Sequence, residues 1–153
     1  MTSRMAWRDE WLLGIETFDT DHMEMMRLIN SLFPLDASNS SGATLGGEPF
    51  VADQLERVIA CLRLHFDREE TFQQSIGYPG IEEHKTEHSL EIAELTEMER
   101  VLRETGASRV DEEAAASLKR WFLDHVVAED RLYAEYYFEQ LGAIKTGVTC
   151  VRQ

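Results

Sequence analysis

Histidines and carboxylates are the residues of this sequence whose types and spacing could perform metal chemistry. His65 and Glu69 lie four residues apart, and His84 and His88 lie four apart beyond a Gly-Tyr-Pro-Gly break. Residues four apart share one face of a helix, one turn from each other. The stretch therefore predicts two antiparallel helices, joined by a tight turn, that direct pairs of metal-binding side chains into a common space.

All five histidines fall in apolar stripes of predicted helices. They are His22, His65, His84, His88 and His125. A single histidine on an apolar face is usually a buried side chain with a hydrogen-bond partner. Five imidazoles buried together with a carboxylate are costly unless they share a partner. A metal ion is such a partner, because imidazole is its commonest ligand.

The donor types indicate which metals could bind. Imidazole and carboxylate suit iron, zinc or manganese. A structural zinc needs only four ligands, whereas seven candidates converge here once Glu69 and Asp130 are included. Suppose that both carboxylates and one solvent oxygen bridge two six-coordinate ions. Five histidines then fill all but one of the remaining positions, and the last position is open to a small ligand.

Two other metal sites are possible from the pattern alone. Residues 84–88 match H-x-x-E-H, an inverted zinc-protease motif in which Glu87 would be the general base. That motif leaves the other histidines unexplained, and Glu87 is interpreted as a solvated residue of the helix surface. A ferritin-like carboxylate site needs Glu-x-x-His pairs, and no histidine here has a glutamate three residues before it.

Amphipathic periodicity predicts four helices that could position these side chains. Together they indicate an all-α, up-down-up-down four-helix bundle with an N-terminal extended arm, within a single domain. The first helix is expected to be capped by Asp19, Thr20 or Asp21. The predicted segments are an arm at 1–17, helices at 18–33, 50–75, 81–104 and 109–141, a flexible loop at 34–49 and a tail at 142–153.

Composition limits the class of protein. The chain has 153 residues and a formal net charge of −14. Such a charge disfavours nucleic acid and anionic membranes as partners. No apolar run reaches the roughly 20 residues that span a bilayer, and the N-terminus does not resemble a signal peptide. Cys61 and Cys150 form no CxxC pair, which fits a reducing compartment, so a soluble cytoplasmic protein is expected.

The spacing of these residues resembles that of the hemerythrins, and of the bacteriohemerythrins in particular. The resemblance covers residues 7–137. Its motifs are W-x6-G-I-x2-F-D-x2-H at 7–22, H-F-x2-E-E at 65–70, G-Y-P at 77–79, H-x3-H at 84–88 and W-x3-H-x4-D at 121–130.

The resemblance implies a non-heme di-iron centre with an oxo or hydroxo bridge, and a role for each of the seven ligands. His84, His88 and His125 would bind one iron. His22 and His65 would bind the other iron, which keeps the open position. The two bridging carboxylates would be Glu69 and Asp130.

The resemblance also implies reversible O2 binding for storage, transport or delivery, without enzymatic turnover. An apolar pocket around the ligand would include Met25, Phe66, Trp121 and Val126. Two other functions could use the same site. One is an O2 or redox sensor that signals to a protein partner, and the other is a di-iron enzyme that reduces NO or peroxide.

One spacing does not fit a regular helix. His125 and Asp130 are five residues apart, which places them about 140° apart around an ideal helix. Glu129, at four residues, would share the face of His125. The motif therefore requires a wide inward sector or a local π-type bulge. If the helix were regular, Glu129 would replace Asp130 as the bridging carboxylate.

Overall fold

The structure, a computed structural model, describes residues 3–33 and 50–142. The predicted loop at 34–49 and the tail beyond Gly142 lie outside the described residues. The described helices are α1 (Glu16–Asn30), α2 (Val51–Ser75), α3 (Ile81–Thr105), α4 (Glu112–Trp121), a π segment (Phe122–Glu129) and α5 (Asp130–Leu141).

The all-α four-helix bundle is confirmed. The elements α4, the π segment and α5 follow one another without a break and form the fourth helix. Leu55, Val58, Leu62 and Phe66 of α2 lie in the apolar core at helical spacing, as expected for a helix that buries one stripe. No helix in the described ranges has the length and apolarity needed to cross a membrane.

The N-terminal arm packs against the apolar core. Trp7 and Trp11 make an edge-to-face contact, and Trp11 also packs edge-on against Phe122 of the π segment. The Asn30 side chain fixes the start of the arm, because it accepts from the backbone N–H of Met5 and donates to its carbonyl oxygen. The arm contains one 3-10 turn at Asp9–Trp11, and the backbone is extended on either side of it, at Arg8 and Leu12.

The first helix begins earlier than predicted, and the expected cap is wrong. Its N-cap position is Ile15, without a side-chain cap. Asp19 lies inside the helix, and its carboxylate accepts from the backbone N–H groups of Leu13 at 2.7 Å and Gly14 at 3.1 Å. Asp19 thus holds the arm against α1 instead of starting the helix.

Turn residues define the ends of α3. Before the helix, the Tyr78 N–H donates to the carbonyl oxygen of Gln73 and closes the turn after α2. After it, Gly106 adopts a left-handed conformation with φ 66°, which glycine reaches without steric cost. Asp111 then caps α4, because its side chain accepts from Ala114 N–H at 2.7 Å.

The fourth helix widens at its centre. Over Phe122–Glu129 the helix is of the π type, in which N–H groups bond to carbonyls five residues back. The N–H of Asp130 donates to the carbonyl oxygen of His125. This is the bulge that the five-residue spacing requires, and it places both residues on the inner face.

Candidate metal centre

The structure brings together all seven side chains predicted as ligands. One group contains Glu69, His84, His88, His125 and Asp130, and a second contains His22, His65, Glu69 and Asp130. Within each group the possible ligand atoms lie within 4.8 Å of one another. Every residue is buried, and the two carboxylates belong to both groups. We call this set the candidate metal centre.

Every helix of the bundle contributes to this centre. His22 comes from α1, and His65 and Glu69 share one face of α2. His84 and His88 share one face of α3. The remaining two residues come from the fourth helix, where the π segment aligns them. The four-residue spacings on α2 and α3 follow directly from α-helical periodicity.

The Asp130 carboxylate separates the two groups. Its Oδ2 atom lies 3.0 Å from His22 Nε2. Its Oδ1 atom lies 3.0 Å from His84 Nε2 and 3.3 Å from His125 Nε2. In Glu69, Oε1 lies 2.7 Å from His65 Nε2 and also 3.7 Å from His88 Nε2, and Oε2 lies 3.6 Å from His84 Nε2. Asp130 therefore presents one oxygen to each group, and Glu69 contacts histidines of both groups.

Imidazole nitrogens also face each other within each group. His22 Nε2 and His65 Nε2 are 3.1 Å apart, and His88 Nε2 and His125 Nε2 are 3.1 Å apart. Such spacings suit neighbouring ligands of one ion, since the Nε2 lone pairs can point to a shared position between them. At these distances the paired imidazoles could form hydrogen bonds or bind one metal ion together. The surroundings of the buried carboxylate oxygens distinguish the two arrangements.

The carboxylate oxygens lack hydrogen bonds of acceptable geometry within the described ranges. Both oxygens of Glu69, both oxygens of Asp130 and the Nε2 of His84 are fully buried without such a partner. Buried polar atoms are normally satisfied, because an unsatisfied one costs roughly 1–3 kcal/mol or more. The imidazole nitrogens lie close to these carboxylate oxygens but are not aligned with them for hydrogen bonds. This arrangement indicates that the nitrogens and the oxygens are directed at a common third partner. The residues present fit a pair of metal ions.

An ion pair outside the centre orients His65. Its Nδ1 lies 2.9 Å from Asp21 Oδ2. Arg68 binds both oxygens of the same carboxylate, with Nε–Oδ2 at 2.9 Å and Nη2–Oδ1 at 2.8 Å. Partial burial would raise the pKa of the Asp21 carboxyl, but its hydrogen bonds with His65 and with the Arg68 guanidinium lower it. Asp21 therefore accepts the Nδ1 proton and leaves the Nε2 lone pair free for a metal.

Carboxylates also contact two histidines of the other group from outside. His88 Nδ1 lies 2.8 Å from Glu70 Oε1, and His125 Nδ1 lies 3.3 Å from Glu87 Oε2. An outer acceptor on Nδ1 fixes the tautomer and increases the basicity of the metal-facing nitrogen. Sequence reasoning had not assigned this role to Asp21, Glu70 or Glu87. Their positions next to a candidate ligand were the only available signal, since Asp21 and Glu87 lie one residue before a ligand and Glu70 lies one residue after one.

The contact of Glu87 bears on the zinc-protease alternative. Its carboxylate meets the Nδ1 edge of His125, and its side chain is 45% exposed. The atoms of His84 and His88 that face the centre are their Nε2 nitrogens, which lie on the opposite side of the His125 ring from Glu87. Glu87 is therefore not placed to act as a general base beside them. Glu87 is thus a partly solvated residue, as interpreted from the sequence, with an additional contact to a candidate ligand.

Protons balance the buried carboxylates when no metal is bound. Burial opposes a charge on His65, but Glu69 and Asp21 outweigh it and raise the pKa of His65 to about 10. Burial also opposes a charge on His84, but its close contacts with the carboxylates of Asp130 and Glu69 raise its pKa to about 10. Burial lowers the pKa of His88 to about 3, because the attraction of Glu69 does not compensate for it.

The carboxylates shift in the opposite sense. Burial alone would favour their neutral forms, but the charge of His65 holds the pKa of Glu69 well below its usual range. The pKa of Asp130 is also lowered. Burial and repulsion from Glu69 oppose this shift, whereas His125, His22 and His84 favour it. The centre therefore contains two anionic carboxylates, which cations can neutralise.

Apolar and aromatic side chains surround the centre. Phe66 stacks on the His88 ring at a centroid distance of 3.7 Å, and Trp121 stacks on His125 at 5.3 Å. Met25 and Val126 are completely buried in the same apolar core. The structure therefore places two of the four predicted pocket residues directly against candidate ligands, and all four in one cluster.

Two further polar residues near the centre were missed from the sequence. Tyr133 is fully buried beside the His84 ring, and its hydroxyl lacks a hydrogen bond of good geometry with any described residue. Burial and the charge of Glu69 raise its pKa well above the usual range. Gln73 is fully buried one turn after Glu69, with both amide atoms unpartnered in the described ranges. The spacing of Gln73 from Glu69 could have indicated its inward position.

Comparison with known proteins identifies the class that this fold and site define. The family described as the hemerythrin HHE cation-binding domain matches residues 13–137. The chain belongs to this hemerythrin family, as the sequence motifs predicted.

Individual relatives agree with this assignment. The chain is 26% identical over 131 residues to a bacteriohemerythrin of Stenotrophomonas maltophilia, covering 86% of this chain and 80% of that protein. It is 24% identical over 137 residues to a bacteriohemerythrin of Clostridium acetobutylicum, covering 85% and 98%. A crystal structure of wild-type hemerythrin matches with a TM-score of 0.66 at 21% identity, covering 85% of this chain and 95% of that one. At this identity the structural match supports the fold.

Proposed function

We propose that this chain binds two non-heme iron ions at the candidate metal centre and uses them to bind O2 reversibly. The observation that carries the proposal is the unequal division of ligand atoms around two shared carboxylates. Five residues surround one position, and four surround the other. The group of five would hold one ion more completely than the group of four would hold the other, so the second ion would be the one with room for a small ligand.

His22 and His65 would hold the ion with the open position, and His84, His88 and His125 would hold the other ion. Iron, when bound, would supply the open coordination position and the electrons that O2 binding requires. Glu69 and Asp130 would offset the charge of both ions. Histidine-rich ligation with few anionic groups favours reversible binding over oxidation chemistry, and the membership in the hemerythrin family supports the same reading.

The surrounding side chains would preserve the bound ligand by excluding water. Phe66 and Trp121 are packed edge to face at 6.2 Å and lie flat against two ligand rings. Water and protons promote the irreversible oxidation of such a centre, so an apolar wall slows the loss of the reduced form. Asp21, Glu70 and Glu87 would hold the ligand rings in orientation through their Nδ1 atoms.

A role in storage, transport or delivery follows from reversible binding, and the cytoplasmic location stays a prediction from the sequence. A sensor or an NO- or peroxide-reducing enzyme could use the same residues. One experiment separates these functions. The iron-loaded protein is reduced without oxygen, exposed to air and then returned to an oxygen-free atmosphere, while its visible spectrum is followed.

A ligand-to-iron absorption band that appears in air and disappears when oxygen is removed is the expected result. Immediate conversion to a stable oxidised form would contradict the carrier function and favour a redox sensor or an enzyme. A metal assay that finds one zinc ion per chain, and no iron, would exclude all three functions. Glu69→Ala should abolish the band, whereas Glu97→Ala, at an exposed site of α3, should leave it unchanged.

A further inference from the structure

An acidic cavity opens beside the candidate metal centre, between α3 and the fourth helix. Its volume is about 390 Å³. Five carboxyl groups line it, together with a single guanidinium, that of Arg120. The acidic residues are Glu87, Glu91, Glu94, Asp124 and Glu129. Such an excess of negative charge attracts cations into a concave site, but an acidic cluster alone does not define one.

Glu91 provides an independent indication of a ligand. The residue is only 6% exposed, yet it lines the cavity. Within residues 3–33 and 50–142, no group forms a hydrogen bond or ion pair with its side chain. Burial and the nearby Glu94 raise the pKa of Glu91 to about 7. The oxygens of Glu91 are not among the fully enclosed polar atoms, so they face the cavity. A cation there would offset the cost of ionising a largely buried carboxyl.

The cavity and the candidate metal centre share one wall, the imidazole of His125. The Nδ1 edge of this ring faces Glu87, which lines the cavity, at 3.3 Å. The Nε2 edge lies in the centre, 3.1 Å from His88 Nε2. Trp121, which stacks on the ring, also lines the cavity. An ion held by Glu91 would therefore be separated from the centre by a single side chain.

We propose that this cavity is a second, external divalent-cation site that captures hydrated ferrous ions and passes them to the metal centre past His125. Carboxylate and water ligands suit hard divalent cations such as ferrous iron and Mn²⁺, which can keep part of their hydration shell. The external site rests on the described carboxylates alone. Its delivery role rests in addition on the proposed iron centre.

Titration with Mn²⁺ tests the external site. Iron-loaded protein is titrated with Mn²⁺, and free Mn²⁺ is measured by its electron paramagnetic resonance signal, with the iron content checked afterwards. We expect the unmodified chain to bind one Mn²⁺ ion. Its affinity for Mn²⁺ should fall by about tenfold or more in Glu91→Gln, since loss of even an outer partner of a metal ligand has an effect of this size. Glu97→Gln removes the same charge from an exposed site of α3 and should bind Mn²⁺ like the unmodified chain.

Absence of bound Mn²⁺, or equal affinity in Glu91→Gln, would show a diffuse surface ion only and overturn the site. Glutamine matches glutamate in shape, so this variant should fold.

Delivery is tested by adding limiting ferrous iron, without oxygen, to metal-free protein and measuring bound iron over time. Glu91→Gln should take up iron more slowly and reach the same final content, and an unchanged rate would overturn delivery. If the unmodified chain takes up no iron, the proposed function fails, while the Mn²⁺ titration still reports on the cavity.

Discussion

The backbone N–H of Asp130 donates to the carbonyl oxygen of His125, five residues earlier. This bond belongs to the π segment and rotates Asp130 onto the face that carries His125. Asp130 is completely buried, whereas the neighbouring Glu129 is partly exposed and lines the acidic cavity. One local irregularity of the backbone thus determines which of two adjacent carboxylates reaches the candidate metal centre.

Substitution of the two neighbours separates their roles. Asp130→Asn keeps the shape but removes the charge that both ligand groups share. We expect its iron affinity to fall beyond the roughly 10–100-fold that loss of an outer partner causes. Glu129→Gln should retain both irons at saturating iron concentration. Iron and protein assays on the purified variants measure the difference, and iron loss in Glu129→Gln with retention in Asp130→Asn would reverse the assignment.

Helical periodicity accounts for what could be predicted from the sequence. The pairs His65/Glu69 and His84/His88 follow the α-helical repeat, so their convergence was predictable. The cap of α1 was not, because Asp19 bonds to N–H groups of the arm, a tertiary contact that local preference does not encode. Which of Glu129 and Asp130 faces the centre also could not be predicted from the sequence. The five-residue spacing brings Asp130 inward only if the helix has a bulge, and the sequence does not show whether a bulge forms.

The outer partners of the histidines were equally inaccessible to pattern reasoning. Charged residues beside a buried ligand are usually solvated, and nothing in their types distinguishes Asp21 or Glu70 from other acidic residues of the surface. Their roles depend on side-chain direction across helices, such as the 2.9 Å contact between α1 and α2 that joins Asp21 to His65. Such contacts emerge only after the helices are packed.

The Asp21–His65 contact predicts a measurable effect on metal affinity. Asp21→Asn removes the anionic acceptor of the His65 Nδ1 proton and leaves Arg68 without its partner. We expect iron affinity to fall by about 10–100-fold, measured by competition with a chelator of known strength. The matched control is Glu24→Gln on the same helix, since Glu24, among the residues that the structure describes, pairs with Arg27 at the surface and lies away from the centre. Equal iron affinity of Asp21→Asn and Glu24→Gln would argue against an orienting role.

The stability of the metal-free protein should fall at alkaline pH. The raised pKa values of His65 and His84, both about 10, mean that their protons stabilise the folded state. This stabilisation is complete below the usual imidazole pKa of about 6.5 and is lost as pH rises through the folded-state value. Urea unfolding between these limits should show a decrease of up to about 1.4 kcal/mol per pH unit for each group.

Other groups set the acidic side of this profile. Glu69 and Asp130 have lowered pKa values, so their contribution is present above the usual carboxyl pKa and is lost as pH falls through the folded-state values. The lowered pKa of His88, about 3, also destabilises the fold below the usual imidazole pKa, because the unfolded chain binds that proton first. Iron-loaded protein serves as the control, since metal displaces the His65 and His84 protons. A metal-free protein as stable at alkaline as at neutral pH would contradict the assigned charges.

The aromatic wall can be tested at Phe66, whose ring lies flat on His88 at 3.7 Å and is 4% exposed. Phe66→Leu preserves an apolar side chain but removes the stacked ring and leaves space for water. We expect the oxygenated protein to lose its O2-dependent band several times faster, which spectra recorded in air over time would measure. Stability should fall by less than the roughly 3–5 kcal/mol of a Phe→Ala change.

Leu64→Ala is the matched control, because Leu64 is 60% exposed on the same helix and should leave both the band and its lifetime unchanged. A Phe66→Leu protein that is less stable yet keeps the original lifetime of the band would make Phe66 a core residue only. A shortened lifetime with nearly normal urea unfolding would instead assign the ring to protection of the bound ligand, since a packing defect alone would affect the unfolding curve first.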